Sequence, residues 1–252
     1  MILAIDIGNT NIVFGLAKQN EWLNIWRIQT DPLKTADEYE VIFRSLFSGS
    51  KIDPGKITKT ICCSVVPNLV RTFGEMVYSL LGQLPVLLEP AIYEKLPVQV
   101  LNPLEIGSDL VADATAAFVR YRATSVVIDF GTAITFTTIS KTGEILGVAI
   151  APGLQTAIKS LTQSTAQLFD VQLVNPPSVL GKNTKHAIQS GIVFGFAGLV
   201  DSMVDRIENE LGEKLTVIAT GGLANVLQNV STRIHLIDEN LTLDGLNYIA
   251  GL

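Results

Sequence analysis

Val127-Ile128-Asp129-Phe130-Gly131-Thr132-Ala133 repeats, half a chain later, the pattern of Ala4-Ile5-Asp6-Ile7-Gly8-Asn9-Thr10. In each stretch a β-rich apolar run leads to aspartate, an apolar residue, glycine and a small polar residue, and a second β-rich run follows. The offset, 129 − 6 = 123, is close to half of 252 residues. One Asp-x-Gly junction alone reads as an ordinary hairpin turn. Two at half-chain spacing, each opening a set of strands, predict a duplicated domain. The junction has a use in phosphate chemistry. Glycine lets the backbone come close to an anion, and the amides of the turn can bind it. The carboxylate just before the turn needs a cation between itself and a phosphate. Asp6 and Asp129 are therefore expected to face one cleft and hold a metal-bound polyphosphate. Ala219-Thr220-Gly221-Gly222-Leu223-Ala224, after a strand and before a helix, could line the adenosine end, although a lone Gly-Gly turn is a weak signal.

Outward from the two junctions, strands and helices alternate, which argues for the α/β class. Strands are expected at Ile2–Asp6, Ile12–Leu16, Trp22–Ile28, Ile57–Val66 and Pro85–Leu88, with helices at Thr35–Phe47 and Asn68–Leu81. Residues 89–107 carry Pro90, Pro97 and Pro103 without a clear period and read as the connection between halves, giving domains 1–105 and 106–252. The second half reads as a helix from Ser108 to Arg120, strands at Ser125–Asp129, Ala133–Ser140 and Glu144–Ile150, and a helix at Leu154–Ser164. A long helix is expected over Thr184–Leu211, with Asn183 or Thr184 as its cap and Ile188, Ile192, Phe196, Leu199, Met203, Ile207 and Leu211 as its apolar face. A strand at Lys214–Thr220 and a helix at Leu241–Ala250 complete the reading. Trp22 and Trp26, four apart on one strand, are expected on a common face.

Composition narrows the function. Hydrophobic residues make up 48% and charged residues 17%, so the chain is not of the disordered type. A net charge of −6 with 18 scattered basic residues lacks the footprint of a nucleic-acid binder. The two cysteines, Cys62 and Cys63, are adjacent in an apolar run and read as buried core thiols of a reduced, cytoplasmic protein. No zinc-ligand spacing occurs. The start, Met-Ile-Leu-Ala-Ile-Asp, has no basic region and meets a charge at Asp6, so a signal peptide is not expected. No run is expected to reach the ~18 apolar residues of a membrane span. Neither a Gly-x4-Gly-Lys-Ser/Thr loop nor a Gly-x-Gly-x-x-Gly fingerprint is present, which disfavours P-loop ATPases and dinucleotide-dependent oxidoreductases.

A series of motifs in fixed order makes the chain resemble the type III pantothenate kinases, of the acetate kinase/sugar kinase/Hsp70/actin superfamily. The series is Asp6-Ile7-Gly8-Asn9-Thr10-Asn11, Asn102-Pro103 before Gly107-Ser108-Asp109, Asp129-Phe130-Gly131-Thr132 and Ala151-Pro152-Gly153, then Gly181-Lys182-Asn183-Thr184, Gln189-Ser190-Gly191 and Ala219-Thr220-Gly221-Gly222. The resemblance implies two duplicated ribonuclease-H-like (actin-like ATPase) domains, each a mixed sheet with flanking helices. It implies phosphoryl transfer from ATP to the primary hydroxyl of pantothenate, in a cytoplasmic homodimer that uses Mg2+ and a monovalent cation, K+ or NH4+. Neither a membrane nor a nucleic acid is an expected partner. By the same resemblance Asp6, Ile7, Gly8, Asn9, Thr10, Asn11, Ile12, Val13 and Thr132 would bind ATP. Asp129 would hold the monovalent cation, Asp109 would be the general base, and Gly107, Ser108, Asp109, Leu110 and Thr184 would surround pantothenate.

A carboxylate within hydrogen-bond reach of a primary alcohol can take its proton as phosphoryl transfer proceeds. An acidic residue in a helix's first turn also favours the helix dipole without any chemistry. The substrate side departs from the family pattern. Gly107-Ser108-Asp109-Leu110 stands where Gly-Ala-Asp-Arg is usual, Val100 where tyrosine is, Asp113 where asparagine is, and Gly147-Val148 where Gly-Gly is. Leu110 cannot replace a bidentate guanidinium. A weakly active nucleotide-binding homologue with an accessory role, or a kinase for another small hydroxyl compound, are the alternative readings.

Overall fold

The computed structural model describes every residue from Met1 to Leu252. In chain order the elements are β1 (Ile2–Ile7), β2 (Asn11–Lys18), β3 (Glu21–Gln29), α1 (Ala36–Gly49), β4 (Lys59–Ser64), α2 (Pro67–Leu81), β5 (Val86–Leu87), α3 (Pro90–Tyr93) and α4 (Ser108–Tyr121). They continue as β6 (Ser125–Phe130), β7 (Ala133–Ile139), β8 (Ile145–Pro152), α5 (Leu154–Ser164), α6 (Thr184–Leu211), β9 (Thr216–Thr220), α7 (Ala224–Leu227), β10 (Leu236–Ile237) and α8 (Leu241–Ala250). Two five-stranded sheets run β3-β2-β1-β4-β5 and β8-β7-β6-β9-β10, the same order in each half. In both, three antiparallel strands come first and two parallel ones are added beside the first of them.

The duplication extends to register. Asp6 lies between Val13 of β2 and Cys63 of β4. Asp129 lies between Thr135 of β7 and Thr220 of β9. Each sheet slips by one residue at its edge. Leu16 pairs with Asn24 and Ala17 with Trp22, which leaves Leu23 over. Thr138 pairs with Gly147 and Ile139 with Ile145, which leaves Leu146 over. The two bulged leucines are 146 − 23 = 123 residues apart, the same offset as the two aspartates.

The bulge overturns the expectation for the two tryptophans. An extra residue between them sends their side chains to opposite faces. Trp26 stacks on Phe14, 5.2 Å between ring centroids, on the face that carries α1. Trp22 covers the bare backbone of Gly15 and donates its indole N–H to Asp244 of α8 at 2.7 Å.

The chain divides into one unit of Met1–Ala116 with Leu241–Leu252 and another of Ala117–Asn240. The division falls inside α4 and not at the expected residue 105, and α8 returns to the first unit. Side-chain chemistry explains both. Leu241, Leu243 and Leu246 of α8 are fully buried or nearly so, and Gly245 lets α8 approach the Ala112 carbonyl of α4 more closely than a β-carbon would allow. Asp113, 1% exposed, accepts the Thr242 hydroxyl at 2.7 Å. The carboxylate where the family has asparagine thus ties α4 to the first turn of α8.

In the first unit, Thr35 and Glu38 form a reciprocal capping box that starts α1. The helix then presents Tyr39, Phe43 and Phe47 at four-residue spacing to the sheet and to Phe73 of α2. The expected proline-rich connection contains the single turn α3, begun by Pro90 at its first position.

In the second unit, α6 spans the expected residues. Asn183 accepts the His186 N–H at 2.8 Å, and Gly212 at φ 70° stops the helix. Its buried stripe is Val193, Ala197, Val200, Val204 and Glu208, while Phe196, Leu199, Met203 and Ile207 lie half-buried beside it. The expected face holds only for Ile188 and Ile192. The smaller side chains let the helix sit close to the sheet, and the larger ones cover the flank. α6 is also long and apolar enough to cross a membrane, against expectation, because its charged residues gather at its ends; 44% of its most apolar window is buried against the rest of the protein.

Glu208 carries a prediction. Its carboxylate accepts from Lys214, from the Leu215 N–H and from Arg233. Burial alone would raise its pKa, but these donors outweigh it and bring it down to about 2. A depressed carboxyl contributes stability above its ordinary pKa, which is lost as pH falls toward about 2. Glu208→Gln is expected to cost roughly 1–2 kcal/mol at neutral pH. The deficit should shrink steadily below the ordinary carboxylate range, read by urea unfolding at several pH values.

Candidate active site

Parallel strands β1 and β4 end side by side, and the carboxyl ends of parallel strands are where α/β sheets bind ligands. Asp6 is the penultimate residue of β1. The turn after it is pinned: Gly8 donates to the Asn11 carbonyl at 3.0 Å, the Thr30 hydroxyl donates to the Gly8 carbonyl at 2.6 Å, and the Thr30 N–H donates to the Thr10 carbonyl at 3.0 Å. A β-carbon on Gly8 would lie 2.9 Å from the Asn11 carbonyl oxygen, so this turn closes too tightly for a side chain. Asn9 and Thr10 project to solvent at its tip. Ile7 and Ile12 point into the core instead, so only their backbone can meet a ligand.

Helix α4 is fastened to the end of β4 by one hydroxyl. Ser108 Oγ accepts from the Ser64 N–H at 3.2 Å and donates to the Ser64 carbonyl at 3.3 Å. This contact brings Asp109 near Asp6, 109 − 6 = 103 residues away in sequence. Both carboxylates act electrostatically on Cys63, whose thiol donates to Asp6 Oδ1 at 3.3 Å. Burial raises the Cys63 pKa well above its usual value, and the charges of Asp6 and Asp109 add to the effect. Burial also pushes Tyr93 of α3 up to about 12, with Cys63 and Asp109 as its electrostatic neighbours.

Asp109 keeps part of its surface open to solvent, but its carboxyl lies deep among protein atoms. Burial raises its pKa, against the Leu110 N–H that donates to Oδ1 at 2.8 Å and against its own N–H. A carboxyl whose pKa is raised by burial is a candidate general base. Gly107 leaves the room in which Asp109 sits, since a β-carbon there would strike Oδ1. Leu110 is 6% exposed and faces the interior, so it offers packing and no polar contact.

The second unit builds its own aspartate site. The Thr132 carbonyl accepts from the Gly153 N–H at 3.1 Å and from the Thr156 hydroxyl at 2.6 Å, and Gly131 donates to the Ala133 carbonyl at 3.1 Å. Gly221, at φ +87°, closes over Asp129, and a β-carbon there would overlap the carboxylate and lie 2.7 Å from the Phe130 nitrogen. Thr184, at the start of α6, lines a recess of about 400 Å³ with Leu161, Leu168, Ala187, Ile188, Gly191 and Ile192. None of the other candidate residues lines that recess.

No group of three or more His, Cys, Asp or Glu residues is arranged to cage a metal. Magnesium suits such a place all the same, because it is usually held by one or two carboxylates together with water and substrate phosphates. Asp6 at a glycine turn fits that mode of binding. Cys63 and Tyr93 escaped sequence reading: one looks like any core thiol and the other sits in a proline-rich stretch. Only the β1–β4 register and the course of α3 bring them to Asp6 and Asp109.

A family model, Type III pantothenate kinase, matches residues 2–206. A Type III pantothenate kinase of Myxococcus xanthus (strain DK1622) is 41% identical over 251 residues, covering 100% of this chain and 98% of its own. Another, of Anaeromyxobacter dehalogenans (strain 2CP-C), is 41% identical over 249 residues, covering 99% and 98%. Among solved structures, the activator of the 2-hydroxyisocaproyl-CoA dehydratase from Clostridium difficile with bound ADPNP superposes with a TM-score of 0.54 at 13% identity, over 99% of this chain and 92% of that one. A likeness at that identity speaks for the fold alone, two duplicated actin-like halves, and agrees with the matching sheets. With the motif order, the paired Asp-x-Gly turns and the full-length relatives in agreement, the chain belongs to the type III pantothenate kinase family.

Proposed function

We propose that this protein transfers the γ-phosphoryl group of ATP to the primary hydroxyl of pantothenate, forming 4′-phosphopantothenate in the first step of coenzyme A biosynthesis. The observation that carries the reading is Asp109, a buried carboxyl of raised pKa beside the Asp6 turn, in a chain of this family. Asp109 takes the hydroxyl proton as the oxygen attacks phosphorus. Asp6 to Val13 hold the ATP phosphates, the two isoleucines by backbone only, and Thr132 contacts ATP. Gly107, Ser108 and Thr184 belong to the pantothenate side. Magnesium, when bound, neutralises charge on the phosphates, and Asp129 holds a potassium or ammonium ion. Catalysis of this kind is mostly positioning and electrostatics. The protein acts as a cytoplasmic homodimer.

Coupled ADP release, with pantothenate set against a panel of small alcohols, tests the reading. Turnover is expected with pantothenate, to require magnesium and to rise when potassium or ammonium replaces sodium. Because Leu110 offers no cation to the pantothenate carboxylate, the KM for pantothenate is expected to be high, roughly 10-fold or more above that of relatives with arginine there. Turnover of another alcohol in place of pantothenate would overturn the substrate. Full activity in sodium alone would remove Asp129 from its role.

A further inference from the structure

The proposed reaction leaves Cys63 and Tyr93 unused, and of the two only Cys63 is hydrogen-bonded to Asp6. It is the β4 register partner of Asp6 and is 1% exposed. Its neighbour Cys62 turns to the other face of the sheet and packs in the aromatic core with Leu3, Ile5 and Phe73. Cys63 instead directs its sulfur at Asp6 Oδ1, 3.3 Å away. The carboxylate oxygen it faces is an acceptor, so at this distance the thiol is the donor of the pair. A thiol that merely filled space would gain nothing from facing a carboxylate, since small apolar side chains fill such volumes without a polar atom.

We propose that Cys63 is a positioning residue for the phosphate site: its S–H restrains the rotation of the Asp6 carboxylate, which is thereby oriented toward the cation and water that accompany bound ATP. The inference rests on reading Asp6 to Val13 as the phosphate site. An ionised carboxylate offers about four lone-pair positions, and a donor fixed on the neighbouring strand occupies one of them. The strand pairing supplies the rigidity, because Asp6 and Cys63 are register partners in one parallel ladder. A carboxylate held in this way needs no reorientation when the nucleotide arrives.

Two substitutions separate positioning from packing. Cys63→Ser keeps a donor and loses apolar character. Cys63→Val keeps apolar volume and loses the donor. A packing role predicts that valine is the milder change. Positioning predicts the reverse in nucleotide affinity: serine close to wild type, valine weaker by about 5-fold in the Kd for Mg-ATP by calorimetry. The KM for pantothenate should not move. Cys63→Ala, also without a donor, gives the same reading should the valine variant fail to fold. In an Asp6→Asn background the valine change should add nothing further. Equal ATP affinity in the serine and valine variants, with Asp6→Asn impaired, overturns the positioning role alone. Wild-type ATP affinity in Asp6→Asn overturns the phosphate-site reading beneath it. Weakened ATP binding in Cys63→Val by a protein that does not turn over pantothenate supports the positioning role and overturns only the substrate.

Discussion

Asp109→Asn is expected to lower turnover by about 100-fold or more and, in the same protein, to raise the thermal unfolding midpoint. The first effect follows from removing the group that accepts the hydroxyl proton, while ATP affinity stays near wild type. The second follows from the direction of the pKa shift. Burial holds the Asp109 carboxyl above its ordinary value despite the N–H donors on it. A carboxyl raised in the folded state costs nothing at pH values where both states are protonated. The cost grows as pH rises from the unfolded to the folded pKa, and is fully present above that. Asparagine is neutral at every pH and keeps an oxygen for the Leu110 N–H. It gives up a first-turn negative charge worth about 0.3–1 kcal/mol. Desolvation is the largest influence on the Asp109 carboxyl, so its relief is expected to exceed that loss. Thermal melts at pH 7 and near pH 3 should show a gain at neutral pH that fades in acid. A lower midpoint at neutral pH would mean that Asp109 serves α4 as an ordinary first-turn acid, and unchanged turnover would remove it from the chemistry.

Gly221→Ala is expected to damage both the second unit's fold and its aspartate site. The backbone there has φ +87°, a region L side chains rarely adopt. The added carbon would also overlap the Asp129 carboxylate and sit 2.7 Å from the Phe130 nitrogen. Backbone cannot step aside as a flexible side chain can. Either the turn after β9 opens or Asp129 moves, and a loss of about 3 kcal/mol is the expected scale. Response to potassium should disappear before all activity does. Gly147→Ala is the matched control, since a β-carbon on Gly147 meets nothing within 4 Å. It should change stability by about 0.5 kcal/mol or less. Equal behaviour of the two variants would remove Gly221 from the support of Asp129.

Much of this architecture was legible because it is local. The Asp-x-Gly junctions combine a strand period with turn chemistry, and both were visible without the fold. Helix α6 carries its own start in Asn183 and its own stop in Gly212, so its limits were readable to the residue. What was hidden depends on distant partners. Nothing near Trp22 announces that Leu23 drops out of the ladder, and one unpaired residue is enough to exchange the two faces. The division inside α4 depends on Leu241, Leu243 and Leu246, which lie far along the chain from the helix they meet. The link from Asp6 to Asp109 needs the Ser64–Ser108 contact and the thiol of Cys63, and no spacing within either segment encodes these.

The return of α8 to the first unit also bears on the order in which the protein is made. Synthesis runs from the amino end, and domains fold as they become available. Residues Ala117–Asn240 are contiguous, so the second unit has all of its parts when Asn240 has emerged. The first unit, begun earlier, still lacks Leu241–Leu252 at that moment. Until those residues arrive, Gly15 and Trp22 lack the helix that covers them. The half that starts first on the ribosome is therefore the half that finishes last. A chain interrupted before residue 241 would carry an apolar sheet face open to solvent, a mark by which chaperones and proteases can recognise an unfinished copy.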